Sequence, residues 1–167
     1  FINYLFSIDE DEKYSVSNHT INENNASYKQ IIQDTHPNFF LLENENAGKD
    51  IKVDQIRDLI NFLNKSTYSK NLKIVLIDNA ENLNINSSNA LLKSIEEPPK
   101  NTFFFIIHDS SSQILSTVKS RCLEYKFHFT SESKKKIFDE ILKFYDINSN
   151  FLDDDNLYFY STPGNLI

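Results

Sequence analysis

The first candidate for chemistry is Asp78, a carboxylate at the end of the apolar run 74–77. At the carboxyl edge of a parallel sheet, such a carboxylate can hold Mg²⁺ beside the phosphates of a nucleotide. The same residue type also starts turns and caps helices, and on the pattern alone that structural role is the commoner one. Asp78 therefore indicates nucleotide chemistry only if other residues support it.

Arginine is rare in this chain, which makes each arginine informative. Arg57 and Arg121 are accompanied by fifteen lysines and by an excess of acidic residues that leaves a net charge of −7. A planar guanidinium binds phosphate oxygens through two parallel hydrogen bonds, which a lysine cannot imitate. The negative charge argues against a large basic surface for direct binding of nucleic acid.

Glycine and cysteine are too scarce in this sequence for a glycine-rich phosphate loop or a cysteine-based metal site. Gly48 and Gly164 are too few and too far apart for either glycine-rich phosphate loop. The single cysteine, Cys122, and four dispersed histidines give no metal-ligand spacing, so no metal site is predicted. No apolar run approaches the roughly 18–20 residues of a membrane span. We therefore predict a cytoplasmic protein without a membrane contact.

The elements that must position these residues alternate between strands and helices. Helical spacing of apolar residues predicts helices over 52–65 and from about 86 to Pro98. Apolar runs at 38–42, 73–78, 102–107 and 123–127 predict strands, and continuous runs are typical of a parallel sheet covered on both faces. The fold class is therefore α/β. Residues 9–35 are polar and unpatterned, and we interpret them as a loop or insertion.

The pattern changes near residue 130, after which no strand is predicted. Ser131 is placed to cap a helix with Ile137 and Ile141 on its apolar face, and a further helical stretch is predicted after the acidic residues 153–155. We therefore predict an α/β domain over 1–129 and an all-helical domain over 130–167.

Three motifs, in order and at matching spacing, carry a resemblance to a known family. They are Asp78-Asn-Ala-Glu81, the stretch Asn89-Ala-Leu-Leu-Lys-Ser-Ile-Glu-Glu-Pro-Pro99 and Ser120-Arg-Cys122. Together they resemble the bacterial clamp-loader AAA+ subunits, which are the delta-prime and tau/gamma subunits of the DNA polymerase III holoenzyme. The resemblance covers about residues 36–127. It implies a P-loop NTPase/AAA+ sheet with helices on both faces, followed by the start of a small helical lid domain.

Departures from the family pattern favour the delta-prime branch. Asn79 stands where the ATP-hydrolysing members have Glu, and it lacks the negative charge needed to polarise water. Asn165, in Ser161-Thr-Pro-Gly-Asn165, replaces the lid arginine that would contact the γ-phosphate. The stretches 36–40 and 51–57 also resemble delta-prime. Residues 1–6 resemble the helix that follows the phosphate loop, so we expect a chain shortened at both ends that lacks its first strand and that loop. The alternative is a protein that never had the loop.

The resemblance gives Arg121 a role as an arginine finger that acts in trans. Ser120, Arg121 and Cys122 would form an interface motif facing ATP and Mg²⁺ bound by a neighbouring subunit, and this chain itself would carry no cofactor. The alternative is a surface or salt-bridging arginine. His108 falls in the region of sensor 1, a polar residue that would contact the γ-phosphate. Whether His108 or Asp109 aligns there, or the pair only forms a turn, stays open.

The predicted function is that of a delta-prime-like stator that helps to load the sliding clamp in DNA replication. The expected partners are the tau/gamma and delta subunits, the clamp, and primer–template DNA through the assembled complex. Intrinsic ATPase activity is not expected. One alternative is a tau/gamma-type ATPase whose phosphate loop has been cut away, and another is a stand-alone α/β interaction module.

Overall fold

The computed structural model describes residues 1–44, 49–66 and 72–144. Its contacts divide the chain into two compact units, residues 1–124 and 125–167. The predicted boundary after residue 129 stays a prediction. The elements in chain order are α1 (Ile2–Ser7), α2 (Ala26–Ile32), β1 (Phe39–Leu42), α3 (Val53–Asn64), β2 (Lys73–Ile77), a 3₁₀ turn (Ala80–Asn82), α4 (Ile85–Glu96), β3 (Thr102–Ile106), α5 (Ser116–Lys119) and α6 (Ser131–Phe144).

The three strands form a parallel sheet in the order β1-β2-β3. Phe39 pairs with Ile74 across the first interface, and Lys73 pairs with Thr102 across the second. The predicted strands at 38–42, 73–78 and 102–107 are thus confirmed, each within one residue at its ends. Parallel strands need crossover connections, and α3 and α4 supply them.

Helices cover both faces of this sheet, as the resemblance implied. On one face, Leu59 of α3 and Leu91 of α4 are fully buried and pack in one core with the sheet residues Val75 and Ile77. On the other face, the ring of Phe6 in α1 lies 6.5 Å from that of Phe39 in β1. A strand buried on both faces has apolar residues at every position, which explains why β2 has no alternating pattern.

Lys73 is an exception to the apolar core, because its ammonium group is buried where β2 begins. The residue is 2% exposed. Its Nζ donates hydrogen bonds to the carbonyl oxygens of Phe62 at 2.9 Å and Leu63 at 3.0 Å, and also to that of Lys65. These carbonyls belong to the end of α3, where the last turn of a helix leaves its acceptors without intrahelical partners. Lys73 therefore joins the start of β2 to the end of α3.

The start and end of α4 follow from local chemistry. The side chain of Asn84 accepts a hydrogen bond from the backbone N–H of Ser87 at 2.9 Å, which caps the first turn. The helix ends at Glu96, two residues before Pro98, because a proline restricts the residue that precedes it to extended conformations. The predicted helix from about 86 to Pro98 is confirmed with these limits, and the helix predicted over 52–65 is confirmed as α3.

Residues 9–35, predicted as a polar loop or insertion, include helix α2 and a short antiparallel bridge between Ser15 and Thr20. Asn25 is 1% exposed and caps α2 by accepting a hydrogen bond from the N–H of Tyr28 at 2.7 Å. Its amide also donates to Glu10 at 2.6 Å, and the same carboxylate accepts from the hydroxyl of Ser27. Buried polar bonds therefore organise a segment that has few apolar residues.

The strand predicted at 123–127 is wrong. The chain has no regular secondary structure there, and Leu123, Tyr125 and Phe127 are 87%, 77% and 81% exposed. Alternating apolar residues form a strand only where a neighbouring strand supplies hydrogen bonds, and the sheet of the described residues ends at β3.

The second unit contains α6 in its described part, and the helix predicted there is confirmed. Thr130, rather than the predicted Ser131, caps it, because the Thr130 hydroxyl accepts the N–H of Ser133 at 3.2 Å. The most buried side chains of α6 are Phe138 and Leu142, next to the predicted Ile137 and Ile141. The helical stretch predicted after residues 153–155 lies outside the described residues.

Candidate functional site

The carboxyl edge of the sheet brings together the residues predicted as a nucleotide site. Asp78 and Asn79 follow β2, and His108 follows β3. The backbone N–H of Asp78 bonds the carbonyl oxygen of Leu42 in β1 at 2.9 Å, and the N–H of Ala80 bonds that of Ile107 at 2.9 Å. These bonds fix the turn after β2 between its two neighbouring strands. The segments that follow the parallel strands therefore meet at one edge of the sheet, as expected for this topology.

Asn79 has a backbone conformation that favours its own residue type. Its φ and ψ are 51° and 50°, in the left-handed region that asparagine enters more readily than other residues with a side chain. The Asp78 carboxylate accepts a hydrogen bond from the Asn79 N–H at 2.9 Å, which stabilises this turn. The Asn79 amide in turn donates to the side-chain oxygen of Asn44 at 3.4 Å. An amide held in this way has no charge with which to activate water.

The loop after β3 is held by its own polar groups. A ring nitrogen of His108, Nδ1, lies 2.9 Å from the carbonyl oxygen of Asp109. Hydrogen bonds from the backbone N–H and the hydroxyl of Ser111 lower the pKa of Asp109. The N–H of Asp109 donates to the Glu81 carboxylate at 3.3 Å, which links this loop to the turn after β2. The two alternatives for His108, a nucleotide sensor and a structural turn, therefore both remain predictions.

No metal-binding cluster is found in residues 1–44, 49–66 and 72–144. Within these ranges, no three His, Cys, Asp or Glu side chains come together as a group that could hold a metal ion. A magnesium ion held by Asp78 would therefore need oxygens from a nucleotide and water to complete its shell. Asn165 lies outside the described residues.

Arg121 lies just beyond the short helix α5. Its Nε donates to the Oε1 atom of Glu96 at 2.5 Å, and its Nη2 forms an ion pair with the same oxygen. Its Nη1 donates to the carbonyl oxygen of Thr117 at 2.7 Å and to the hydroxyl of Ser120 at 3.3 Å. The Arg121 side chain is one-third exposed. A guanidinium with this access can be reached from outside the chain.

The neighbours of Arg121 in the motif shape a turn. The Ser120 hydroxyl donates to the carbonyl oxygen of Thr117 at 3.2 Å, and the N–H of Cys122 bonds that of Lys119 at 3.2 Å. Cys122 is half-buried, and this burial raises the pKa of its thiol. A thiol that stays protonated is a poor nucleophile and a poor metal ligand. The chemistry of this motif therefore rests on the guanidinium.

Arg121 and the nucleotide-edge residues lie at opposite ends of α4. The turn that contains Asp78 and Asn79 leads directly into the start of α4, whereas Arg121 is paired with its last residue, Glu96. A helix of twelve residues is about 18 Å long. Arg121 is therefore far from the edge of its own sheet. The Glu96 pairing escaped sequence reasoning because 25 residues separate the two side chains, although Glu96 belongs to the motif that carries the resemblance.

Comparison with known proteins decides the family. A family model described as DNA polymerase III, delta subunit, matches residues 8–131. This is most of the chain. The chain belongs to this family. Among curated relatives, it is 47% identical over 90 residues to DNA polymerase III subunit delta' of Pseudomonas aeruginosa, covering 54% of this chain and 27% of that protein.

Two further comparisons extend the relationship of this delta-subunit family member to gamma subunits. The chain is 31% identical over 119 residues to DNA polymerase III subunit gamma of Buchnera aphidicola subsp. Schizaphis graminum, covering 71% of this chain and 32% of the relative. It also resembles the crystal structure of a gamma subunit-related protein from Thermotoga maritima, with a TM-score of 0.50 and 28% identity over 62% of this chain and 33% of that one. The AAA+ α/β fold implied by the motifs is confirmed.

The chain spans about a quarter to a third of the length of these relatives. In residues 1–44, 49–66 and 72–144, no helix is both long and apolar enough to cross a bilayer. The matched region contains all the predicted site residues that the structure describes, because Asp78, Asn79, His108 and Arg121 all lie within residues 8–131.

Proposed function

We propose that this chain is the AAA+ part of a delta-prime-type clamp-loader subunit that supplies Arg121 to a neighbouring ATPase subunit. The neighbour would bind ATP and Mg²⁺, and Arg121 would stabilise the negative charge on the transferring phosphoryl group. The tau/gamma and delta subunits, the sliding clamp and primer–template DNA are the proposed partners. The cytoplasm is the proposed location, because DNA replication takes place there in bacteria.

The position of Arg121 carries this proposal. The side chain is partly exposed and lies about a helix length from the nucleotide edge of its own sheet, beside the last turn of α4. An arginine at that distance cannot contact a nucleotide bound at its own edge, but it can contact one presented by another subunit. The relatives named delta' and gamma are subunits of DNA polymerase III, so a neighbouring subunit is expected.

The proposed subunit does not hydrolyse ATP itself. Asn79 occupies the position where hydrolysing relatives would use a carboxylate, and its left-handed backbone favours asparagine over glutamate. Because the Asn79 amide carries no negative charge, it cannot polarise the attacking water as a glutamate would. The role of this chain would then be structural and regulatory within the assembly.

Replacing Arg121 in the full-length protein tests the proposal. We expect Arg121→Ala to lower the ATPase and clamp-loading rates of the reconstituted complex, because the proposed arginine would stabilise the transferring phosphoryl group most strongly in the transition state. Arg57→Ala is the matched control, since Arg57 is the chain's other arginine and forms an exposed ion pair with Asp54 at 2.5 Å. Unchanged rates in Arg121→Ala would refute the proposal.

The similarity to gamma subunits supports a second candidate, a tau/gamma-type ATPase. The two candidates differ in the activity of the isolated full-length protein. A gamma-type ATPase would hydrolyse ATP at a steady rate and would lose this activity when Asp78 is changed to Asn. A delta-prime-type subunit would show no activity above that of the same variant.

A further inference from the structure

Arg121 is held by its own chain at almost every donor that it has. A guanidinium carries five N–H groups. The Nε–H points to Glu96, one Nη2–H faces the same carboxylate oxygen, and Nη1 has two acceptors, the carbonyl oxygen of Thr117 and the hydroxyl of Ser120. Among the residues that the structure describes, the other N–H of Nη2 has no acceptor. A phosphate that binds Arg121 through two parallel hydrogen bonds must therefore displace an existing partner.

Of these partners, Glu96 is the one that a phosphate would replace. Thr117 and Ser120 belong to the same turn as Arg121 and move with it, whereas Glu96 is attached to a different helix, α4. Carboxylate and phosphate oxygens also present the same kind of acceptor to the Nε and Nη2 atoms. The Glu96 side chain is 43% exposed and that of Arg121 33%, so the ion pair is weakened by water and can be exchanged.

We propose that Glu96 is a positioning residue that stores Arg121 against α4, and that phosphate of the neighbouring nucleotide replaces Glu96 when Arg121 engages. This inference rests on the proposed function of Arg121. The ion pair with Glu96 fixes the position of the guanidinium before the nucleotide binds. Because this ion pair must break first, the binding of Arg121 to phosphate costs a free energy equal to that of the pair. Glu96 thus competes with the substrate of the neighbouring subunit for the same donors.

The competition has a measurable consequence for kcat/KM of the complex. This ratio compares the transition state with the free complex and free ATP, and Arg121 is stored in that free complex. Glu96→Gln keeps the size and an acceptor oxygen but removes the charge. Because exposed ion pairs are weak, we expect Glu96→Gln to raise kcat/KM for ATP by about two- to five-fold at low salt. The increase should shrink as the salt concentration rises, because salt screens the pair in the parent protein.

The experiment uses the full-length protein reconstituted with its partner subunits, with ATPase rates measured over a range of ATP concentrations. Glu97→Gln is the matched control, because it removes the same charge one residue further along. In the part of the chain that the structure describes, Arg121 pairs with Glu96, Thr117 and Ser120 and not with Glu97. We expect the control to leave kcat/KM unchanged. In an Arg121→Ala background, Glu96→Gln should have no effect, because its action passes through Arg121.

The outcomes separate this inference from the proposed function. If Arg121→Ala lowers the ATPase rate but Glu96→Gln behaves as Glu97→Gln does, the storage role is refuted and the arginine finger stands. A decrease of kcat/KM in Glu96→Gln would also refute storage, because it would mean that Glu96 helps Arg121 to engage. If Arg121→Ala itself changes nothing, the proposed function fails first.

Discussion

The buried ammonium of Lys73 allows a quantitative prediction about the stability of the α/β unit. Lys73→Met keeps most of the aliphatic side chain but removes the three donors that bond the carbonyl oxygens of Phe62, Leu63 and Lys65. The ring of Phe62 also loses the cation that lies 5.0 Å from its centre. The substitution thus removes the ammonium group that binds the carbonyl oxygens at the end of α3, and it changes the packing volume little.

The size of the effect follows from these contacts. A hydrogen bond from a charged donor contributes about 1.5–3 kcal/mol, and the cost of burying the ammonium offsets part of the sum. We expect the free energy of opening of α3 and β2 to fall by about 2–4 kcal/mol in Lys73→Met. Amide hydrogens in α3 would then exchange about 30 to 700 times faster, because each 1.4 kcal/mol is a factor of ten.

Native-state hydrogen exchange of the full-length protein provides the measurement. The matched control is Lys100→Met, the same substitution at an exposed residue between α4 and β3, which we expect to change stability by no more than about 0.5 kcal/mol. If the amide hydrogens of α3 exchanged no faster in Lys73→Met than in this control, the reasoning about buried donors at the helix end would be wrong.

The same lysine gives a pH dependence. Burial, and secondarily the charge of Lys65, lower the pKa of Lys73 below its ordinary value. The unfolded chain therefore binds the proton more tightly than the folded protein does, so this residue's contribution to stability rises with pH up to about 10.4. The stability of the parent protein relative to Lys73→Met should therefore grow as the pH rises toward about 10.4, and a decrease on approaching that pH would contradict the direction of the shift.

Two further predictions concern other parts of the chain. Asn25→Ala should destabilise α2 by about 1–3 kcal/mol, since it removes the helix cap and the bond to Glu10, and limited proteolysis should then cut residues 9–35 faster than in the exposed control Asn24→Ala. Because burial raises the pKa of the Cys122 thiol, its alkylation by iodoacetamide should reach half-maximal rate at a higher pH in the folded protein than in denaturant. Equal midpoints would refute the second prediction.

The sheet was predictable because apolar continuity and helical spacing are local signals. The strands β1, β2 and β3 and the helices α3 and α4 all lie within one or two residues of their predicted limits. The strand expected at 123–127 failed because its pattern needs a hydrogen-bonding neighbour that no local signal reports. Helix α2 was missed because Asn25 and Glu10 organise it through polar bonds, and polar residues are typical of loops as well.

The candidate site also has features that the sequence predicted and features that it did not. Asp78 was predicted at the carboxyl edge of the sheet, and the resemblance assigned Asn79 and His108 to the same nucleotide site. The parallel topology brings the segments that carry them to one edge. The left-handed backbone of Asn79 could not be read from its residue type, since asparagine is common in several kinds of turn. The partner of Arg121 was equally hidden, because Glu96 approaches it only through the packing of α4 against α5.

By itself, the sequence determined the family and the fold class, since the motifs of residues 78–81, 89–99 and 120–122 and the apolar periodicity are properties of the chain in one dimension. The tertiary structure alone decided which charges meet. It placed the ammonium of Lys73 at the end of α3 and the guanidinium of Arg121 on Glu96. Electrostatic and hydrogen-bond energies depend on distances of a few ångströms between residues that are far apart along the chain, and only the folded chain sets those distances.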